Sequence, residues 1–354
     1  MVLTMIVAAA TAFLATLFGT GALIRALRAR AILDYPNDRS SHAVPTPVGG
    51  GLVVITVVAV AWTIVWALSA LHHGASFTYP VPLVVGLSLV LAVVSWHDDR
   101  RPLSPVLRLS IQAIAVLIGI AALAAHGRIF QGVVPYGLDV ALTAWIWLWM
   151  VNLTNFMDGI DGITGVEGAS IGIGVTLLAP MAAAAGLALG TLPPGNFALY
   201  GLIVAAALAG FTWWNWQPAR IFLGDVGAVP LGFLLGWMLL EVAGAGLWAA
   251  ALLLPMYYLM DATLTLLRRL VRREALMRAH RSHFYQRAAR RLGAHAPVSR
   301  IVLILNVVLI GLAYTSAHQP DIQGVLLAVG VILTAAVLWY FARNTAPSDR
   351  PATP

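Results

Sequence analysis

Long apolar runs separated by short polar segments dominate the chain. A helix needs about 20 apolar residues to cross a bilayer, and a hydropathy reading finds about eleven such runs. The runs cover residues 3–24, 48–70, 81–96, 105–125, 138–151, 164–186, 196–212, 227–243, 245–266, 300–317 and 323–342. No positive segment precedes the first run, which we interpret as a retained helix rather than a signal peptide. The pattern predicts an all-α polytopic membrane protein with one integral-membrane domain over residues 1–354.

Composition supports this prediction and narrows the chemistry. The chain is 60% hydrophobic and 10% charged, whereas soluble domains carry about 25% charged residues. It contains no cysteine, which excludes disulfides and cysteine-based zinc sites. All 21 basic residues are arginine, so no mechanism can rest on a lysine Schiff base or a lysine general base.

The polar segments divide into two sets that differ in charge. One set comprises residues 25–47, 97–104, 152–163, 213–226, 267–299 and the tail after Phe341. Every arginine except Arg128 falls in this set or at its boundary. The positive-inside rule therefore predicts that these loops are cytoplasmic, with the N-terminus outside and the C-terminus inside. The net charge of +7 is then an orientation signal, and we expect no nucleic-acid partner.

Carboxylates gather in the same set of loops. They include Asp98, Asp99, Asp158, Asp161 and Asp225, which come from three separate segments. Ionisable groups close to membrane depth are expensive and usually functional. Acidic groups that converge from separate loops and are ringed by arginine indicate a site for a metal and a polyanion.

The segment from residue 152 to 162 is the most informative of these loops. Asn152, Asn155, Asp158 and Asp161 recur at every third position, so a helix would place them on one face. An ordinary turn is the alternative, because Asn and Asp beside Gly are common turn formers. Four polar groups at regular spacing exceed what a turn needs, so we favour a binding role.

The segment from residue 215 to 227 offers a cation ligand and an aromatic ring. Asp225 lies between Gly224 and the Val-Gly pair that follows, so little obstructs its oxygens. Mg²⁺ prefers one or two carboxylates, completed by phosphate and water. The ring of Phe222 is suited to stack on a base. The alternative interpretation is that Gly-Asp-Val-Gly only begins a helix.

Three further segments carry candidate groups. The adjacent carboxylates Asp98 and Asp99 repel each other unless a metal or an arginine compensates their charge, which indicates a binding site. The alternative interpretation is an ordinary cluster of charges at a helix end. The first loop, with its arginine, hydroxyls and triple glycine, suits phosphate binding or is an ordinary linker. In the last loop Arg281 and His283 are the candidates, whereas a zinc pair of His280 and His283 lacks a third ligand.

Together these segments resemble the bacterial polyprenyl-phosphate N-acetylhexosamine-1-phosphate transferases of glycosyltransferase family 4. The likeness favours the WecA/WbpL-like branch, which is related to phospho-N-acetylmuramoyl-pentapeptide transferase, and it runs from about Asp34 to Leu292. It implies Mg²⁺, with Mn²⁺ as a substitute, at Asp225. The implied catalytic residues are Asp98, Asp99, Asp158 and His283. The implied substrate-binding residues are Arg39, Ser41, His42, Thr46, Asn155, Asp161, Asn215, Phe222 and Arg281, with uridine at Asn155, Asp161, Asn215 and Phe222.

The resemblance implies transfer of a sugar-1-phosphate from a UDP-amino sugar to polyprenyl phosphate, with release of UMP. Many relatives carry His-x-His-His in the last loop, where this chain has His-Phe-Tyr-Gln at residues 283–286. That departure favours initiation of O-antigen or another surface polysaccharide over the peptidoglycan enzyme, which stays the alternative. A homodimer is a further expectation. A secondary transporter and a non-catalytic lipid-phosphate binder are rivals from other classes, although transporters place buried charges near the bilayer midplane.

Overall fold

A computed structural model describes residues 2–35, 44–73, 80–126, 128–184, 194–275 and 280–343. Within these ranges, ten helices are long and apolar enough to cross a membrane. The same ranges contain thirteen α-helices in all, including shorter ones: α1 Val2–Ala29, α2 Gly51–His73, α3 Pro80–Asp98, α4 Pro105–Gly119, α5 Tyr136–Met157, α6 Ile163–Ala184, α7 Pro194–Asn215, α8 Asp225–Gly244, α9 Trp248–Leu253, α10 Met256–Val271, α11 Phe284–Leu292, α12 Ala296–His318 and α13 Gln323–Ala342. The prediction of an all-α, multi-pass membrane protein is confirmed.

The ninth predicted span is not one helix. Residues 245–266 form the short α9 and the longer α10, which meet at Leu254 and Pro255. A proline has no backbone N–H to continue a helix, so the α-helix is interrupted there. The fourth run ends early as well, because α4 gives way to a 3₁₀ turn over Ile120–His126.

Two small elements lie inside the polar loops. Strands β1 Leu33–Asp34 and β2 Thr46–Pro47 pair antiparallel, with Leu33 opposite Pro47. Helix α11 lies in the arginine-rich last loop and buries Phe284, Tyr285 and two alanines on one face. Because these side chains are buried, α11 packs against the bundle rather than extending away from it. Arg290, near the end of the helix, stays exposed.

Helix α8 lies at the centre of the bundle. Its residues from Val226 to Val242 are all buried. The indole N–H of buried Trp147 donates to the Phe233 carbonyl of α8 at 2.8 Å. A polar group inside a membrane protein must find a partner within the protein, which this hydrogen bond supplies. α8 is therefore the fixed element against which the site is built.

A close helix contact brings the first loop to the start of α8. A Cβ on Gly51 would overlap the backbone of Gly227, so only glycine allows these helices to approach so closely. Next to this contact, the N–H groups of Gly49 and Gly50 donate to the Phe222 carbonyl at 3.1 and 2.9 Å. These contacts hold residues 49–51 against residues 222–227 at one end of the bundle, which we call the site end.

Candidate active site

The N-terminus of α8 is the centre of the site. Gly224 precedes it with φ 76° and ψ 166°, a conformation that is essentially restricted to glycine. The Asp99 carboxylate, from the loop after α3, accepts the N–H of Val226 at 3.2 Å. A helix N-terminus carries a partial positive charge, so it stabilises an anion there. Asp225 begins the same helix, and the carboxylates of Asp99 and Asp225 are thus brought together.

One arginine links two of the predicted acidic residues. Arg108 Nη1 lies 2.9 Å from Asp98 Oδ2 and 3.6 Å from Asp225 Oδ2. The other oxygen of Asp98 accepts the N–H of Leu103 at 2.6 Å. Arg108 was missed as a site residue because the sequence places it inside an apolar run. Its position one helical turn before Gln112, which shares its cavity, was the available signal.

The end of α5 supplies amides to the same region. Asn155 donates a side-chain hydrogen bond to the Asp225 carboxylate. One turn earlier, Asn152 Nδ2 donates to Gln112 Oε1 at 3.0 Å. α5 ends at Met157, so two of the four regularly spaced polar residues are helical and the other two lie in the following turn.

Asp158 faces the protein interior at the end of α5. Its Oδ1 accepts the hydroxyl of Thr164 at 2.6 Å, and Thr164 in turn accepts the hydroxyl of Tyr258 at 3.0 Å. Burial raises the pKa of Asp158 to about 7, opposed by the Thr164 hydrogen bond and reinforced by Asp225. The pKa of Asp99 is likewise raised to about 7, first by loss of water around the carboxylate and then by Asp225. Both groups can therefore hold a proton near neutral pH.

Asp161 and Asn215 connect loops to one another. Asp161 Oδ2 accepts the N–H of Ala219 at 3.0 Å, and its Oδ1 lies 3.0 Å from His295 Nδ1. Asn215 accepts the N–H of Gly162 and donates to the Ile221 carbonyl, both at 2.9 Å. Both ends of the buried Asn215 amide are bonded to backbone, so in this structure it positions the loops around the site.

Asp261 of α10 holds the last loop against the site. The Nδ1 atom of buried His283 lies 3.1 Å from Asp261 Oδ1. The N–H groups of Phe284 and Tyr285, at the start of α11, donate to the same carboxylate at 3.1 and 3.0 Å. Asp261 was not among the predicted site residues. A carboxylate inside an apolar run was the signal that marked it.

Two cavities open at the site end. The first has a volume of about 640 Å³ and the second about 460 Å³, and Gln286 lines both. The polar end of the first is lined by Asp98, Arg108, Asn155, Asp225 and His283, and its apolar wall by Leu91, Val94, Leu109, Ile111, Trp145 and Leu148. The second is lined by polar and aromatic groups that include Thr46, Asp161, Phe222, Arg281 and His295.

The structure divides the predicted substrate contacts between these cavities. Of the four predicted uridine contacts, Asp161 and Phe222 line the second cavity, Asn155 lines the first, and Asn215 lines neither. Thr46 and Arg281 lie with Phe222. The predicted positions Arg39, Ser41 and His42 lie outside the described residues.

The donor set at the site suits a divalent cation shared with a substrate. The described residues contain no group of three or more His, Asp or Glu side chains placed to hold a metal alone. Mg²⁺ commonly uses only one or two carboxylates and takes its remaining oxygens from phosphate and water. The Asp225 side chain is 30% exposed, so it keeps an oxygen within reach of the first cavity. The residues present therefore fit Mg²⁺ bound together with a phosphate.

The fold and the site define a multi-pass membrane protein whose acidic, amide and arginine groups gather at one end of a helical bundle. The model for glycosyl transferase family 4 matches residues 81–243, which extend from α3 into α8. The chain belongs to the polyprenyl-phosphate N-acetylhexosamine-1-phosphate transferase superfamily.

Three relatives show how far the similarity extends. A decaprenyl-phosphate N-acetylglucosaminephosphotransferase of Mycolicibacterium smegmatis is 27% identical over 359 residues, covering 92% of this chain and 86% of the relative. The "Probable undecaprenyl-phosphate N-acetylglucosaminyl 1-phosphate transferase" of Bacillus subtilis is 25% identical over 318 residues, covering 87% and 78%. A phospho-N-acetylmuramoyl-pentapeptide-transferase of Kocuria rhizophila is 26% identical over 275 residues, covering 64% and 72%.

Proposed function

We propose that this enzyme transfers an N-acetylhexosamine-1-phosphate from a UDP-sugar to undecaprenyl phosphate and releases UMP. The reaction would take place at the cytoplasmic face of a bacterial inner membrane and start O-antigen or another surface polysaccharide. Two relatives are named as N-acetylglucosamine phosphotransferases of decaprenyl or undecaprenyl phosphate, which supports a polyprenyl phosphate acceptor and an N-acetylhexosamine-1-phosphate as the transferred group.

The observation that carries this proposal is the pair of cavities that share Gln286 in their lining. An apolar wall from α3, α4 and α5 leads to Asp98, Arg108 and Asp225 in the first cavity. A polyprenyl chain fits the wall because its burial there needs no hydrogen-bond partner. Its phosphate would then lie at the polar end, beside the Arg108 guanidinium.

The second cavity suits the nucleotide. Phe222 offers a ring on which uracil can stack, a contact worth about 1–3 kcal/mol. Arg281 supplies a guanidinium matched to phosphate oxygens. A UDP-sugar with its base here would direct its diphosphate towards Gln286 and the first cavity. The bond to be broken would then lie between the two sets of groups.

The chemistry is phosphoryl transfer. A phosphate oxygen of the carrier attacks the β-phosphorus, the bond from that phosphorus to the oxygen bridging to the α-phosphate breaks, and UMP leaves with that oxygen. A phosphate monoester has a second pKa near 6, so this nucleophile is largely ionised at neutral pH. Arg108 and Arg281 would neutralise charge on the phosphates, while Asp98 and Asp99 orient the acceptor or take a residual proton. Transfer through a covalent aspartyl phosphate is the competing scheme, and retention of configuration at a chiral β-phosphorus would favour it.

Asp225 would hold Mg²⁺ together with the phosphates of the substrate. Asn155 would fix the Asp225 carboxylate through its side-chain hydrogen bond. A bound Mg²⁺ polarises phosphoryl oxygens and offsets their charge. We expect Mn²⁺ to substitute. Loss of turnover with a chelator, restored by added Mg²⁺, is the expected result.

The test is UMP release by the purified enzyme in detergent, with undecaprenyl phosphate and a panel of UDP-sugars. The panel includes the UDP-linked muramoyl pentapeptide, because one similar protein is named for that substrate. We expect turnover with one or more UDP-N-acetylhexosamines. No UMP with any donor, combined with proton-dependent flux in liposomes, would contradict the proposal and favour a transporter.

Substitution of acidic residues at the start of α8 tests the site assignment. Asp225→Ala should abolish UMP release, because it removes the carboxylate proposed to hold Mg²⁺. Asp99→Asn should lower UMP release severely, because it removes a carboxylate proposed to orient the acceptor or take its proton. Arg128→Ala is the control: this exposed arginine lies in the loop before α5, away from both cavities. An Asp225→Ala enzyme with wild-type turnover would remove the metal assignment.

A further inference from the structure

Asp261 has no part in the chemistry above, yet its carboxylate is fully occupied. The residue is 0% exposed within α10. Oδ1 meets His283 Nδ1 and accepts from the Phe284 N–H and, at 3.3 Å, from the Thr265 hydroxyl. Oδ2 accepts from the Tyr257 hydroxyl at 3.1 Å and from the Tyr285 N–H at 3.0 Å. A carboxylate has about four lone-pair positions, and these contacts saturate them.

The saturated carboxylate fixes the proton on the neighbouring imidazole. An ionised carboxylate only accepts hydrogen bonds, so the Nδ1 atom of His283 must carry a proton to approach it at 3.1 Å. This holds whether the ring is neutral or charged. In the neutral ring the proton on Nδ1 leaves Nε2 with a free lone pair.

The rings around His283 restrict its orientation. The imidazole of His280 stacks on one side at a centroid distance of 5.0 Å, and the ring of Tyr285 stacks at 5.6 Å. His280 Nδ1 lies within hydrogen-bond distance of the Ser282 hydroxyl oxygen, at 2.8 Å, which holds that ring in place. Because His283 lines the first cavity and its Nδ1 is taken by Asp261, Nε2 is the ring nitrogen available to a ligand.

We propose that Asp261 is a positioning residue: it fixes His283 in the Nδ1–H tautomer, so that Nε2 serves as a hydrogen-bond acceptor in the first cavity. The acceptor matches a substrate hydroxyl, or the one proton that a phosphate monoester carries in its singly ionised form. The inference rests on the proposed function, since it concerns the acceptor end of that site. The carboxylate acts through the imidazole, without contact to substrate.

The first test replaces Asp261 by asparagine. The amide keeps the shape of the side chain, but its NH₂ group can donate to Nδ1 and so favours the opposite tautomer. For a metal-ligating histidine, loss of the outer carboxylate typically lowers metal affinity or activity by about 10–100-fold, and by analogy we expect kcat to fall by at least tenfold. The KM for the UDP-sugar should change by less than about threefold, because Phe222 and Arg281, the proposed contacts to the base and the diphosphate, line the second cavity.

Asp139→Asn is the matched control. Asp139 is also a buried carboxylate, and it accepts the N–H groups of Ile129 and Phe130 at 3.1 and 2.9 Å. No histidine meets it among the described residues. If both carboxylates served only to accept backbone N–H groups, the two variants would lose stability to a similar extent, measured by thermal unfolding. Only Asp261→Asn should lose turnover beyond its loss of folded protein.

A double-mutant cycle separates positioning from support of the fold. If Asp261 acts through His283, Asp261→Asn should lower kcat at least tenfold in the wild-type background and less than about twofold in His283→Gln. Equal losses in both backgrounds would overturn the proposal, as would wild-type kcat in Asp261→Asn. Wild-type UMP release is measured alongside, so failure of the proposed function is recognised separately.

A measurement on the unmodified chain avoids any dependence on folding of the variant. Protein labelled with ¹⁵N in its imidazoles is compared with His283→Gln to assign the His283 signals. The expected spectrum has a protonated Nδ1, and an unprotonated Nδ1 would contradict the inference whatever the kinetic result.

Discussion

Arg108 is the cation nearest to the acidic cluster. It comes from the first turn of α4 and reaches both Asp98 and Asp225, while its own side chain remains 40% exposed towards the first cavity. An isolated ion pair with that exposure contributes little to stability. Its place between two carboxylates and the proposed site for the acceptor phosphate is better explained by a role in balancing charge during turnover.

Arg108→Gln should therefore lose activity with little loss of stability. Removing one preorganised donor at a developing charge typically lowers kcat by about 10²–10³-fold, and we expect a loss in that range. UMP release gives the rate, and thermal unfolding gives the stability. Arg300→Gln in α12 is the arginine control, because this exposed residue lines neither cavity. A fully active Arg108→Gln enzyme would show that this cation is dispensable.

The sequence could identify the types of residue at the site, but not all of their partners. Asp98 and Asp225 were predicted from their loops, and the structure places both on the first cavity. Arg108 and Asp261 were missed because both lie inside apolar runs, where no loop motif marks them. Their partners are set by how helices pack, which a linear pattern does not contain. The direct substrate contacts of Arg281 and Phe222 stay predictions.

Helix α8 shows how one element organises the site. Gly224 directs its first turn, and a Cβ added there would lie 3.1 Å from both Asp99 Oδ2 and Val48 Cγ2. Its positive φ adds backbone strain for any other residue. The start of α8 therefore depends on a single glycine for its position beside Asp99.

Gly224→Ala should impair this element. Backbone in a region restricted to glycine costs about 1–3 kcal/mol for other residues, and the new methyl group would also displace Asp99 or Val48. We expect a lower midpoint of thermal unfolding and a loss of turnover of at least tenfold. Gly86→Ala in α3, where a Cβ meets nothing within 4 Å, should leave both unchanged. Equal behaviour of the two variants would contradict this account of α8.

Most helices could be predicted from hydropathy, whereas their interruptions could not. The span at 245–266 has enough apolar residues for a crossing, but Pro255 divides it into α9 and α10. Helix α11 is too short and too basic to register as a span. It forms because Phe284 and Tyr285 find a buried face and because Asp261 binds its first N–H groups.

At the scale of the whole molecule, the charge pattern along the chain predicts which ends of the helices share a side. The structure agrees for the loops it describes: Asp99 meets α8, Gly162 meets Asn215, and Arg291 donates to the Arg343 carbonyl at 2.6 Å. The direction of this end with respect to the cytoplasm is a prediction from arginine placement.

Single cysteines can test that orientation, because the chain has none of its own. Ser104→Cys and Arg272→Cys lie at the site end, and Val133→Cys and Gln319→Cys at the other; all four positions are exposed. In intact cells with a permeable outer membrane, an impermeant thiol reagent should label only residues 133 and 319. Labelling of residue 104 or 272 from outside would place the site on the wrong side for a cytoplasmic nucleotide.

The assignment of one cavity to the lipid and the other to the nucleotide is tested most directly by the KM of each substrate in two variants. Leu109→Trp fills the apolar wall of the first cavity, and Phe222→Ala removes the ring from the second. Leu117→Trp, exposed on the same helix and outside the cavity, is the control. Leu109→Trp should raise the KM for undecaprenyl phosphate alone, and Phe222→Ala the KM for the UDP-sugar alone. The opposite pattern, or equal effects on both substrates, would contradict the two-cavity account.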